Sequence, residues 1–218
     1  MKRYLTSLAL PVVLAGALAA CGPLAVSESS DTGDTPAATA TIPEGAATAV
    51  FGGGCFWCME PVFEALDGVY AVTSGFSGSG TEKPSYEEVA AGKTDFVEAV
   101  EVIYDPERVD YERLLRIYWR NINPTDDGGQ FYDRGAEYRT AIFVADDEQR
   151  RLAEESKKKV AASGRFEQPI VTEIRPAGMF FPAEEHHQDY YKRNADHYKS
   201  YRKASGRDDY FERVWGDD

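Results

Sequence analysis

The chain has 218 residues, 43% of them hydrophobic and 28% charged, enough for one domain of ordinary size with its own core and too few for two large ones. Its 37 acidic residues outweigh 24 basic ones for a net charge of −13, which excludes the basic surface that nucleic-acid phosphates require. No internal repeat interrupts this single-domain reading.

In chain order, residues 1–20 read as an export signal: a short basic start (Lys2, Arg3) precedes an apolar run that Pro11 and Gly16 interrupt, too short for a lasting membrane span. Leu18-Ala19-Ala20-Cys21 resembles the lipobox of bacterial lipoproteins, which implies cleavage before Cys21 and a lipid on that cysteine. Residues 21–45 are rich in Ser, Thr, Ala, Asp and Pro and predict a flexible linker. An acidic domain exported and lipid-anchored in this way would sit at the cell envelope, and monomer is its default state.

The domain proper is expected over 46–203. Ala47 to Gly53 predicts a strand running into glycines, and a helix follows, ending near Asp67-Gly68. Proline is tolerated only in a first helical turn, so Pro61 places the regular start of that helix near Cys58. Cys55 is then left in the glycine turn at the helix mouth, where free amides and the helix dipole favour a thiolate. Cys58, one turn on, lies on the same side and within reach of a disulfide.

Val69 to Phe76 predicts a strand, and Ser85-Tyr86-Glu87-Glu88 has the form of a capping box before a short helix. Phe96 to Tyr104 predicts a strand with Phe96, Glu98, Val100, Val102 and Tyr104 on one face. Asp110 predicts a cap for the helix YERLLRIYWRNI, and a polar loop spans Asn123 to Tyr138. The strand TAIFVA, a helix from Asp146 to about Ser163, a last strand from Ile170 to Ile174 and a polar helix from Ala183 to about Lys203 complete the domain. Residues 204–218 are expected to be an acidic tail. Strands interleaved with helices define an α/β class, an α+β sandwich with a mixed central sheet flanked by helices.

With Cys21 assigned to lipid, Cys55 and Cys58 remain for thiol chemistry. A disulfide closing so short a loop would stabilise little. Zinc would need two further ligands, and the spacing of His186, His187 and His197 matches no common zinc module. A redox role remains.

The stretch GGGCFWCMEPVFEALDGV resembles the Gly-Cys-Phe-Trp motif of the peptide methionine sulfoxide reductases of type A. The likeness continues in order through PSYEEV, VEAVEVIYDP, DRGAEYRTAIF and FFPAEEHHQDYYKRN, over roughly Ala46 to Tyr201. The resemblance implies an α/β sandwich and thiol-dependent reduction of methionine sulfoxide, of the S epimer, free or in oxidised proteins. It implies no cofactor beyond an external dithiol reductant such as thioredoxin, and no metal.

Residue by residue, it maps the nucleophile to Cys55, methyl-binding aromatics to Phe56 and Trp57, the acid to Glu98, and hydroxyls near the sulfoxide oxygen to Tyr86 and Tyr138, with Asp133 in support. Cys58 is the expected resolving thiol. The chemistry wants such a set, because a sulfoxide sulfur is a poor electrophile until its oxygen is protonated, and a carboxyl among apolar neighbours stays protonated near neutral pH. Read without the resemblance, Glu98 also fits a cross-strand ion pair, and the aromatics fit a core.

The chain departs from the family pattern at three places. Asp95-Phe96-Val97-Glu98 stands where Gly-His-Ala-Glu is common, GFSGSG stands where Gly-Tyr-x-Gly-Gly is common, and C-terminal recycling cysteines are missing. A thioredoxin-like disulfide oxidoreductase of the envelope and a lipid-anchored binding module are the competing readings. The first has against it the aromatics lying between the cysteines instead of before them.

Overall fold

The computed structural model describes residues 42–216. The leader, Cys21 and most of the expected linker lie outside the described residues. Alternating apolar residues generate a sheet of six strands, β1 (Ala47–Gly53), β2 (Val69–Ser77), β3 (Val97–Tyr104), β6 (Thr140–Val144), β7 (Glu173–Pro176) and β8 (Phe180–Pro182), in the order β7-β6-β1-β3-β2-β8. All neighbours run antiparallel except β6 and β7, so the sheet is mixed as expected.

Period-two alternation sorts the side chains. Phe51, Val100, Val102, Ile142 and Val144 face one way, into the main core. Val50, Val97, Ala99, Ala141 and Phe143 face the other way, into a thin cluster that Phe180 partly covers. Helices α1 (Phe56–Glu64), α3 (Tyr111–Arg120) and α4 (Asp147–Ala161) supply Phe56, Met59, Phe63, Leu114, Leu115, Tyr118, Trp119 and Ala153 to the main core. The short helix α2 (Tyr86–Ala90) adds Val89.

The caps form as read. Ser85 Oγ accepts from the Glu88 amide at 3.2 Å while Glu88 Oε2 accepts from the Ser85 amide at 3.0 Å. The Asp110 and Asp146 carboxylates accept from the amides of Arg113 and Gln149.

Five expectations are corrected. The last strand, expected from Ile170 to Ile174, lies at Glu173–Pro176, and β8 at Phe180–Pro182 follows it as a further edge strand. Helix α1 begins at Phe56, two residues early, with Pro61 inside it. The Cys58 amide bonds the Cys55 carbonyl at 3.0 Å and closes a tight first turn, and the donor that proline lacks would have served only Trp57 in that same turn. The polar loop before Tyr138 contains a two-stranded ribbon, β4 (Gly129–Gln130) with β5 (Asp133–Arg134), closed through Phe131 at φ +57°.

The expected helix from Ala183 to Lys203 is broken into a 3-10 turn (Glu185–His187), α5 (Tyr190–Arg193) and α6 (Ala195–Ala204). Asp189 takes a left-handed conformation at φ +53°, which no helix interior accommodates. The expected acidic tail folds as α7 (Arg207–Trp215), whose first residue is fully buried. An acidic composition concealed its apolar face: Tyr210 and Phe211 pack edge-on against Phe131.

Candidate active site

The glycines at the end of β1 and just after it are required by close packing. A Cβ on Gly53 would lie 2.6 Å from Met59 Sδ, and Gly54 turns the chain at φ +82° with its Cβ position 2.5 Å from Gln130. The turn delivers Cys55 to the N-cap of α1, so Phe56 and Trp57 occupy the first turn and Cys58 completes it.

A small pocket of about 90 Å³ opens there, lined by Cys55, Phe56, Trp57, Tyr86, Glu98, Asp133, Tyr138 and Tyr201. Seven of these eight were predicted from sequence, and they arrive from five separate parts of the chain. The eighth predicted residue, Cys58, is buried behind Cys55 rather than in the pocket wall.

Glu98 stands on β3, 4% exposed, with its Oε2 accepting the Phe56 amide at 3.0 Å. Burial dominates that hydrogen bond and, helped by the nearby Asp133, Glu137 and Cys58, pushes its carboxyl up to about 8, so it is protonated at neutral pH. Burial likewise raises the Tyr86 and Tyr138 hydroxyls, and the neighbouring Glu98 raises them further, so both remain proton donors. The Asp133 carboxylate accepts a hydrogen bond from the Tyr201 hydroxyl.

The two cysteines are coupled. Both thiols are free and buried. Burial pushes the Cys55 thiol up, and its hydrogen bond to Cys58 and the charge of Glu98 reinforce that rise. The same hydrogen bond, with the cations Arg207 and Arg202, draws Cys58 down to about 7 against its own burial. The two thiols are thus hydrogen-bonded to each other and titrate as a pair.

The aromatic wall is held from the C-terminal side. The Tyr190 ring stacks on Trp57 at 3.7 Å with only 8° between planes, and His187 lies 5.2 Å from both Phe56 and Tyr86. Burial lowers the His187 pKa, which leaves the ring neutral. Gln188 bridges the Ser74 amide and carbonyl of β2, and the Asp189 amide donates to Glu60 Oε1 of α1 at 2.9 Å. Glu60 is fully buried and pushed up to about 7 by desolvation.

Among the described residues, Glu60, Glu64 and Asp189 place carboxylate oxygens within 4.8 Å of one another, a spacing a cation could use. The Lys192 ammonium already sits there, 2.7 Å from Glu64 and 2.6 Å from Asp189. This cluster ties α5 to α1 and does not reach the pocket.

Sequence reading missed Tyr201, Glu60 and Arg207. Tyr201 lies three residues beyond Tyr198 on one helical face, a signal lost among the many tyrosines of that polar stretch. Glu60 and Arg207 are charged residues whose burial no sequence pattern marks.

Two buried thiols beside a carboxylic acid held neutral, in an aromatic-walled pocket, define a thiol-dependent oxidoreductase on a mixed α/β scaffold. The chain belongs to the peptide methionine sulfoxide reductase family, whose model matches residues 47–218. The peptide methionine sulfoxide reductase MsrA of Bacillus licheniformis is 53% identical over 168 residues, covering 77% of this chain and 93% of that protein. That of Bacillus pumilus is 53% identical over 169 residues, covering 78% of this chain and 95% of that protein.

Among solved structures, methionine sulfoxide reductase A of Corynebacterium diphtheriae superposes with a TM-score of 0.61 at 34% identity, covering 70% of this chain and 77% of that one. Mxr1 of Saccharomyces cerevisiae in its reduced form gives 0.65 at 27% identity, covering 70% and 88%. The chain is accordingly an enzyme that reduces methionine sulfoxide, and the thioredoxin-like and binding-module readings fall.

Proposed function

We propose that this enzyme reduces the S epimer of methionine sulfoxide, free and in oxidised proteins, through a sulfenic acid on Cys55 that Cys58 resolves. A thioredoxin-like external dithiol then returns the pair to thiols. The observation that carries this reading is the neutral Glu98 carboxyl lining one 90 Å³ pocket with Cys55, Phe56 and Trp57.

The chemistry follows from that geometry. The substrate methyl group packs against Phe56 and Trp57, leaving the sulfoxide oxygen facing Glu98, Tyr86 and Tyr138. Cys55 passes its proton to the Cys58 sulfur and attacks the substrate sulfur as Glu98 protonates the oxygen. Oxygen is transferred: substrate sulfur is reduced by two electrons and released as the thioether, and Cys55 is oxidised to its sulfenic acid. Cys58 then attacks the Cys55 sulfur, a disulfide forms, and the hydroxyl leaves with a proton as water.

Mass spectrometry after one equivalent of methionine sulfoxide tests the sequence of steps. The parent is expected to lose two hydrogens as a disulfide, Cys58→Ser to retain one added oxygen trapped on Cys55, and Cys55→Ser to release no methionine. Cys58→Ser recycling as fast as the parent with thioredoxin would overturn the resolving role.

The lipobox at Leu18–Cys21 and the polar linker after it support a lipid-anchored location at the cell envelope, where exported proteins would be the substrates. Labelling cells with radioactive palmitate checks this. Label is expected on the parent and lost in Cys21→Ser, and an unlabelled parent removes the anchor.

A further inference from the structure

The ribbon of β4 and β5 is a firmly rooted platform beside the pocket. Its root is the Gln130 side chain, which accepts from the Asn123 amide at 2.7 Å and donates to the Asn123 carbonyl at 2.9 Å. The Gly135 amide closes the ribbon onto the Gly128 carbonyl at 3.0 Å, and the Arg134 guanidinium forks onto the Asp126 carboxylate at 2.6 and 2.9 Å. Gln130 packs so closely on the turn before Cys55 that a Cβ on Gly54 would lie 2.5 Å from it. Asp133, at the start of β5, lines the pocket and accepts from the Tyr201 hydroxyl.

The two residues at the tip are treated in opposite ways. Phe131 stands at φ +57°, the left-handed region that a two-residue hairpin turn requires and that suits glycine, not a bulky side chain. Its ring is held there by α7, with the Arg207 guanidinium 4.4 Å from its centroid and the Tyr210 and Phe211 rings edge-on at 5.4 and 5.6 Å. Tyr132, by contrast, is 65% exposed. A strained turn propped by α7 thus displays a large ring to solvent one residue from Asp133.

Single exposed apolar side chains are ordinary on a protein surface, so position decides what this one is for. Among the described residues the large hydrophobic side chains left exposed are Ile42, Tyr70, Tyr132, Val171 and Met179, and of these only Tyr132 adjoins a pocket-lining residue in the chain. The pocket, about 90 Å³, is smaller than the roughly 150 Å³ cavity that a benzene molecule occupies. It has room for the sulfoxide end of one methionine side chain and none for the residues on either side of it. A polypeptide that delivers its methionine sulfoxide to Cys55 therefore runs across the rim, where the ribbon tip stands.

We infer that Tyr132 is a specificity-determining residue for polypeptide substrates: its ring stacks on an aromatic side chain next to the methionine sulfoxide, and so favours such peptides over the free amino acid. This rests on the pocket being the sulfoxide site, as proposed above. Tyrosine suits the task because its flat ring offers a large contact area with few rotamers to lose. Free methionine sulfoxide has no neighbour to place there and gains nothing from the ring. A protein reductant also approaches this side of the molecule, but Tyr132 adjoins the wall of the substrate pocket, whereas Cys58 lies buried behind Cys55.

Steady-state kinetics with dithiothreitol as reductant test the inference on three substrates: free methionine sulfoxide, an acetylated peptide with phenylalanine on both sides of the sulfoxide residue, and the same peptide with glycine there. The parent is expected to show a lower KM for the phenylalanine peptide than for the glycine peptide. Tyr132→Ala should raise the KM of the phenylalanine peptide by about two- to tenfold, the effect of losing one aromatic contact, with kcat unchanged and with the other two substrates unaffected. Tyr132→Phe should behave as the parent, since the ring and not the hydroxyl makes the contact.

Equal KM values for the two peptides in the parent overturn the inference without any variant. So do an unmoved KM for the phenylalanine peptide in Tyr132→Ala, or equal rises for all three substrates. A rise confined to the KM for thioredoxin, measured with that protein in place of dithiothreitol, overturns it as well and assigns the ring to the reductant. Failure of the pocket reading shows separately, because Glu98→Gln would then turn over free methionine sulfoxide as the parent does, whatever Tyr132 contributes.

Discussion

Two of the regions that meet at the pocket are built on different logic. On one side, β1, its glycine turn, α1 and β3 place Cys55, Phe56, Trp57 and Glu98 through local structure: a strand end, a tight turn, a helix start and period-two alternation. On the other, the segment from Glu184 to Trp215 breaks at Asp189 and brings Tyr201 into the pocket and Tyr190 and His187 against its aromatic wall, through long-range anchors to Ser74, Glu60 and Asp133. The first region carries the reacting atoms. The second sets their shape and charge, and single changes should divide along that line.

The largest effect is expected on the first side. Glu98→Gln keeps the shape and removes the proton, so kcat should fall by about 10² to 10⁴, with KM for the sulfoxide changing far less. Steady-state assays check this, and a variant within threefold of the parent would remove Glu98 as the acid.

The same variant has a stability signature. Glu98 keeps its proton in the folded state to about 8 against an ordinary value near 4.5, because burial penalises the charge. Between those values the folded state binds more protons than the unfolded one, so the parent loses stability as pH rises through that window. Glu98→Gln lacks this loss and should gain on the parent between pH 5 and pH 8, by a few kcal/mol at most. Urea unfolding at both pH values measures the gap, and a constant gap would show that Glu98 ionises freely in the fold.

The smallest effect is expected on the second side. Tyr190→Ala removes the ring stacked on Trp57, an interaction worth about 0.5–1.5 kcal/mol, so KM should rise about two- to tenfold while kcat holds. An equal loss of kcat would mean that the C-terminal segment shapes the reacting atoms as well, and the division between the two regions would blur.

The same contrast explains what could be read in advance. The four inner strands, the mixed class of the sheet and the caps at Ser85, Asp110 and Asp146 are legible, because periodicity and capping depend on residues within a few positions of each other, whereas the short edge strands β7 and β8 are not. The start of α1 is not legible, because a rule for proline in isolated helices does not anticipate a first turn tightened by the hydrogen bond from the Cys58 amide to the Cys55 carbonyl. The break at Asp189 was not legible, because the Glu60 and Gln188 anchors that hold it come from distant packing.

By itself, the sequence determined the identity and local placement of the chemistry: two thiols a helical turn apart, a carboxyl on the apolar face of a strand, aromatics between the cysteines. The apolar face of β3 already pointed to a protonated Glu98, and only the tertiary structure decided its full burial, the coupling of the two thiols and the part of the last dozen residues. These depend on burial and on charges brought from elsewhere, such as the Asp133 carboxylate that raises Glu98. These are properties of the assembled interior, where low dielectric lets a charge from one end of the chain act on a group in another, and no local pattern of residues contains them.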